Sequence, residues 1–362
     1  MSVTHGTAEG LRVLGAAILA GAGAGVDEAG LVADHLVEAS LKGHDSHGIG
    51  MVPRYVTDMR AGGVSPNTGV RLLEDGGAFM RFTGDMGFGQ RVGNELTQRL
   101  IARAHESGAV VATLRESYHL GRIGTYAEQA IEAGLVSIHF VNVTGHPPAV
   151  APFRGAAARL LTNPVCIGFP GTASQPPVVA DMATSAIALG KVRVAFNEGR
   201  ELPAGVAIDA HGRPTTNAGD LVTGGGATAG ALVPFGLHKG YALMLAAELL
   251  AGALGGGGTA LPAQHGRHTI VNSMLSVVID PRRLVDGDWL GYEVDALLDY
   301  LRTCPPADPA EPVLVPGDPE RATKAERLAH GIPLDATTWR QLVEAAAVAG
   351  IDEASAAATA TG

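Results

Sequence analysis

The chain has 362 residues, 46% hydrophobic and 17% charged, with a formal net charge of -10. That describes a globular protein with room for two subdomains, and the acidic balance without basic runs argues against a nucleic-acid partner. No apolar run is long enough to span a bilayer, and the first residues lack the cationic and apolar segments of a signal peptide.

Cys166 and Cys304 lie too far apart for a C-x-x-C pair and do not make a disulfide framework, which points to a reducing cytoplasm. No His or Cys spacing suits a metal site.

In chain order, apolar residues at helical spacing predict helices over residues 8–20 and from about Asp27, the second carrying Leu31, Val32, His35, Leu36 and Ala39. The Gly21–Gly25 run between them follows a helix and lacks the strand–loop–helix context of a dinucleotide loop. The same holds for Gly255–Gly258. A short helix with Tyr55, Val56 and Met59 starts near Pro53 and stops at Gly62-Gly63. Residues 1–75 therefore read as a helical subdomain.

Residues 76–280 mix strands, predicted over 110–114, 136–141, 178–181 and 275–280, with helices over 89–105, 125–133 and 240–254. Further helices near 292–302 and 337–349 flank a proline-rich stretch, and residues 351–362 read as a loose Ala/Thr tail.

Between the helix from Asp27 and that near Pro53 lies Gly43-His44-Asp45-Ser46-His47-Gly48. Histidine is the side chain whose ordinary pKa suits proton exchange near neutrality, and glycine allows a ligand or backbone to come close. A helix C-cap with solvated histidines accounts equally for this stretch.

Tyr118-His119-Leu120-Gly121-Arg122 follows a predicted strand and opens a predicted helix. His119 there serves as a general acid/base, contacts a cofactor or only caps the helix. Asp181, in Asp181-Met182-Ala183-Thr184-Ser185, either caps the next helix or hydrogen-bonds a ribose. Lys239 opens an apolar helix against its dipole, which a bound phosphate or carboxylate would explain.

Ser46-His47-Gly48 before Tyr55, His119-Leu120-Gly121 with Gly124 and Tyr126, Thr162-Asn163-Pro164, Asp181 to Ser185, Lys239-Gly240 and Pro316-Gly317-Asp318 occur in one order. That order, from about residue 8 to about 335, resembles the malate/L-lactate dehydrogenase family. The stretch from Gly48 to Pro53, with Asn272-Ser273-Met274 before Ile279-Asp280-Pro281, is most similar to its hydroxycarboxylate dehydrogenase branch.

The resemblance implies an α/β (α+β) homodimer, with an active site between two subdomains in each chain. One is non-Rossmann and NAD(P)-binding, over residues 76–280, with a large mostly antiparallel sheet. The other is helical, residues 1–75 joined by C-terminal helices at about 281–350.

The implied activity is NAD- or NADP-dependent interconversion of small 2-hydroxy and 2-oxo acids. His47 is the first choice for moving the proton and His119 the second, with Ser46 beside them. Tyr55, Met51 and Thr162 would meet the substrate. His119, Leu120, Gly121, Asp181, Met182, Ala183, Lys191, Lys239, Gly240, Asn272, Gly317 and Asp318 would hold the dinucleotide.

Two departures from the family pattern stand out. Met51 replaces an arginine that in many relatives would grip the substrate carboxylate, so that either another cation, Arg54 or Arg122, takes the carboxylate or the pocket prefers bulkier, more apolar 2-oxo acids. Lys191 replaces a carboxylate of ketimine-reducing relatives, which weighs against imine reduction as the alternative activity. A serine hydrolase built on Ser46 is the alternative from another class, and the nucleophile-elbow pattern weighs against it, because Gly43 is one residue too far and a helix precedes it.

Overall fold

The computed structural model describes residues 4–223, 226–227, 230–267 and 269–362. At its centre a seven-stranded sheet runs in the order Arg71–Asp75, Phe79–Thr83, Ala109–Ser117, Val271–Ile279, Val136–Thr144, Val165–Phe169 and Val178–Met182. Every neighbouring pair is antiparallel except 79–83 with 109–117. The 271–279 strand comes from far along the chain and is buried on both faces over most of its length, so its residues show no polar alternation.

Helices Gly89–Ser107 and Gly124–Glu132 cover one face of the sheet. Val92, Leu96, Leu100 and Ala104, spaced four apart, pack there with Phe82, Leu114, Tyr126 and Met274. Helices Ala8–Gly21, Val26–Leu41, Val52–Arg60 and Ala336–Val348 share a second core, which includes Leu14, Ile18, Leu36, Val52, Trp339 and Leu342. The architecture is the expected one, a mostly antiparallel sheet with a helical layer.

Strands 79–83 and 165–169 and helices 189–197 and 318–330 were not among the predicted elements, and other details differ as well. Arg71–Asp75, expected in the helical part, is the edge strand of the sheet. Helix Gly287–Arg302 packs on the sheet side, where Gln175 donates to Asp299 at 2.6 Å, and so does not join the helical layer. The tail is not loose: Glu353–Thr361 is a helix capped by Asp352, with Ala356 and Ala360 buried. Alanine made this segment look weakly apolar, yet its small side chain lets the backbone sit against Gly10, and Thr7 N–H donates to the Ala360 carbonyl at 2.9 Å.

The long helix expected over 240–254 is α-helical from His238 to Ala247 and then widens into a π-turn, Glu248–Ala253. Its buried Glu248 accepts from Asn142 Nδ2 at 3.2 Å, Asn163 Nδ2 at 2.6 Å and Ala260 N–H at 2.7 Å. That carboxylate ties the Thr162-Asn163-Pro164 segment to the central sheet. Among the described residues no helix is long and apolar enough to cross a membrane.

Candidate active site

Helix Val26–Leu41 ends at Gly43, whose φ of +81° turns the chain back, and Asp45–His47 then forms a single 3-10 turn. A Cβ on Gly48 would overlap Ser40 Oγ, which accepts from Ile49 N–H at 3.1 Å. Only glycine lets the turn lie this close to the preceding helix. Asp45 and His44 pair with Arg327 and Glu320 of helix Asp318–His330, at 2.5 and 3.3 Å. All four residues from His44 to His47 line a cavity of about 880 Å³.

The loop after strand 109–117 brings the second histidine to the first. Gly121, at φ +72°, has no room for a Cβ, which would lie 2.5 Å from His35 Nε2. Arg122 N–H donates to that same nitrogen at 3.0 Å, Leu120 N–H donates to Asn272 Oδ1 at 2.9 Å, and Tyr126 Oη donates to the Leu120 carbonyl at 2.6 Å. Held this way, the His119 ring stacks on His47 with centroids 5.4 Å apart and planes 18° from parallel.

Each ring has its own Nδ1 partner: Ser46 Oγ at 3.0 Å for His47, and Tyr55 Oη at 2.7 Å for His119. Tyr55 is enclosed by Phe88 and Tyr118 and accepts from Gln90 Nε2 at 2.7 Å. Burial lowers the pKa of His47 to about 4, against the charge of Asp181, which works to raise it. Burial also pushes His119 well below its ordinary value, reinforced by His47, His35 and Arg54. Both imidazoles are therefore neutral at pH 7.

Across the cavity, Asp181 accepts from Gly124 N–H at 2.7 Å. It thus serves the start of helix 124–132, not that of the helix next in sequence. Arg122 is buried, holds Glu128 through two bonds of 3.0 and 3.1 Å, and has its Nε 3.8 Å from Asp181 with no hydrogen-bond partner. Thr162, Gly121, Ala183 and Lys191 also line the cavity, as do the first residues of helix Leu189–Asn197, which starts without a side-chain cap. Uncapped N–H groups beside Lys191 and Arg193 suit an anionic, phosphate-bearing ligand, so this wall fits a dinucleotide.

The other candidates fall elsewhere. Leu120 and Asn272 are buried beneath the His119 loop. Met182 is 40% exposed at the sheet edge. Gly317 and Asp318 lie just before the cavity residues Pro319 and Glu320, and Asp318 accepts from Arg302, Arg321 and Val315 N–H. Lys239 and Gly240, on helix His238–Ala247, are outside the lining, and Met51 packs partly buried against the helical core.

Of the two alternative cations, Arg54 is bound to Asp58 at 2.8 Å, whereas Arg122 lines the cavity. Gln90 was not legible as a site residue, because a glutamine in a helix's first turn carries no pattern of its own. Among the described residues no group of three or more His, Cys, Asp or Glu could hold a metal ion.

Comparison with known proteins places this arrangement among its relatives. The family model for malate/L-lactate dehydrogenase matches residues 7–343. The L-lactate dehydrogenase of Cupriavidus necator is 42% identical over 331 residues, 91% of this chain and 94% of that protein. Hydroxycarboxylate dehydrogenase B of Escherichia coli is 42% identical over 328 residues, 90% of this chain and 89% of that one. The solved sulfolactate dehydrogenase of Methanocaldococcus jannaschii is 32% identical, with a TM-score of 0.82 and coverage of 96% and 98% of the two chains.

Proposed function

Since the chain belongs to the malate/L-lactate dehydrogenase family and is thereby an NAD(P)-dependent 2-hydroxyacid dehydrogenase, we propose that it interconverts small 2-hydroxy and 2-oxo acids in this cavity, with His47 moving the proton. The carrying observation is that His47, and not His119, lines the cavity while its Nδ1 is held by Ser46. A neutral imidazole so placed can take the hydroxyl proton as the alcohol is oxidised and return it in reduction. A bound nicotinamide dinucleotide supplies or accepts the hydride.

Arg122, paired with Glu128 but with its Nε–H unpartnered, is the cation of the cavity wall placed to meet a substrate carboxylate beside His47. Its guanidinium stays in place because Glu128 holds it from behind. Asp181, close enough to favour the charged form of His47, stabilises the imidazolium that forms when the ring takes the proton. Asp181, Ala183, Lys191 and the start of helix 189–197 would hold the dinucleotide from the facing wall. The free cysteines, Cys166 buried and Cys304 exposed, accord with a reducing cytoplasm.

The test is a panel of 2-oxo acids assayed with NADH and with NADPH. With methionine at position 51, no planar cation stands there to select a second carboxylate. Phenylpyruvate is therefore expected to be reduced with a kcat/KM within tenfold of that for oxaloacetate. A preference for oxaloacetate beyond tenfold, about 1.4 kcal/mol of transition-state binding, overturns this specificity.

Lys239 is exposed in the first turn of its helix, where its charge opposes the dipole. Lys239→Ala is expected to weaken binding of an anionic ligand by about 1.5–3 kcal/mol. Titration calorimetry with the dinucleotide, together with KM for the oxo acid, checks this, and no change in either refutes it.

A second copy of the chain fits the outer face of helix Gly287–Arg302. Trp289, Tyr292 and Tyr300 lie along one side of it, 54%, 68% and 75% exposed, opposite the buried Leu298. Exposed aromatics gathered on one side of a helix mark an interaction surface, and a second copy would bury them. Light scattering is expected to give twice the chain mass, and Tyr300→Glu to give monomers.

A further inference from the structure

We infer that Gln90 is a positioning residue that fixes His119 as a neutral Nε2–H donor, so that the two stacked histidines have different tasks. The inference rests on the reading of His47 as the proton carrier, and its geometry is independent of that reading. Gln90 Nε2 can only donate, so Tyr55 Oη accepts from it at 2.7 Å. The phenol has one hydrogen left, and it goes to His119 Nδ1 at 2.7 Å. An Nδ1 that accepts carries no hydrogen, and the single proton of the neutral ring is then on Nε2.

The direction of the chain follows from this orientation of the Gln90 amide, which leaves its Oε1 buried without a partner. Tyr55 is fully buried, and desolvation with the nearby charge of Asp58 raises its pKa, so the phenol keeps its proton. Asp58 itself is engaged by Arg54 at 2.8 Å and by Tyr118 Oη at 2.8 Å. The groups that act on His119 are His47 from the 45–47 turn, His35 from helix 26–41, and Arg54 and Tyr55 from helix 52–60. None is an anion that would favour an imidazolium. Gly89 sets the position of Gln90, because a Cβ there would overlap the His119 carbonyl. The start of helix 89–107 is thus pressed directly onto the loop whose histidine it directs.

His47 differs on every count. Its Nδ1 faces a serine hydroxyl, which can donate or accept, and Asp181 favours its protonated form. His47 is free to exchange a proton at the cavity, while His119, stacked against it, stays a fixed neutral ring that holds the His47 imidazole in place.

The test uses the full-length protein labelled with nitrogen-15 in its histidine rings, with His119 assigned from the His119→Asn spectrum. Long-range proton–nitrogen couplings report each tautomer directly. Wild-type His119 is expected as the Nε2–H tautomer, without titrating across the neutral range. In Gln90→Glu the carboxylate can only accept from Tyr55, so Nδ1 must donate; His119 is expected to switch to the Nδ1–H form. The same variant should lose at least about tenfold in kcat, with dinucleotide affinity unchanged.

A wild-type His119 in the Nδ1–H form, or one that titrates, overturns the proposal. So does a Gln90→Glu protein that loses kcat with the tautomer unchanged, which is what a merely structural glutamine would give. The wild-type spectrum decides the matter even where Gln90→Glu fails to fold. Failure of the proton-carrier reading would appear separately, as retained kcat in His47→Asn.

Discussion

His47→Asn is expected to lower kcat by at least about a hundredfold, the ordinary size of a general acid–base contribution, with little change in dinucleotide affinity. Asparagine keeps a polar group near Ser46 but cannot exchange a proton at neutral pH, so the variant separates proton transfer from packing. His47 lines the cavity, and its ring faces the cleft on one side and the His119 ring on the other. His119→Asn is expected to cost less in kcat, since the ring stacked on His47 is lost and not the proton carrier. Steady-state kinetics on both variants, with cofactor binding by fluorescence, check this. Near-normal kcat in His47→Asn with loss of turnover in His119→Asn would reverse the assignment.

How legible the site was depends on whether its chemistry follows the chain. Ser46, His47 and Tyr55 lie within ten residues on consecutive turns, and the glycines around them mark a close approach that sequence shows directly. Asp181 read as either a cap or a ligand contact. Its carboxylate lines the cavity and accepts from Gly124 N–H at the start of helix 124–132, across the fold. Sequence cannot show that, because the partner is set by the sheet order. The contact of Gln90 with Tyr55 was invisible for the same reason.

The main strands and helices were legible where apolar runs or helical spacing persisted. The edge strand 71–75 escaped because its residues are mostly exposed, and the 353–361 helix because alanine packs without looking strongly apolar. Met51 shows the converse limit. Its position in the motif suggested a pocket wall, whereas the short 3-10 turn Ile49–Met51 rotates it toward the helical core.

Lowering the pH from 6.5 toward 4 is expected to unfold the protein well before its carboxylates titrate. Burial lowers the pKa of His35 to about 3 and those of His47 and His139 to about 4, and it holds His119 well below its ordinary value. In the unfolded chain each returns to about 6.5. Above that pH neither state binds the protons, and the folded protein keeps its full stability. Below it the unfolded state takes up protons that the folded state refuses, so stability falls as pH falls, until the folded pKa values are reached.

Each such histidine contributes a slope of up to about 1.4 kcal/mol per pH unit, and four together about 5 kcal/mol per unit. Against a usual total of about 5–15 kcal/mol, that is enough to unfold the chain within one to three pH units. The acidic groups act in another window: Asp75 and Asp209, held at about 2 by Arg103 and by the 209–213 turn, lose their contribution only below about pH 4. Urea midpoints followed by circular dichroism across this range check the prediction. His139 sits in the central sheet with Nδ1 on Ser276 Oγ at 2.8 Å and Nε2 buried without a partner. His139→Gln should therefore reduce the slope by about one proton. A midpoint that stays level from pH 6.5 to 5 would mean that these rings accept protons in the folded state, contrary to their burial.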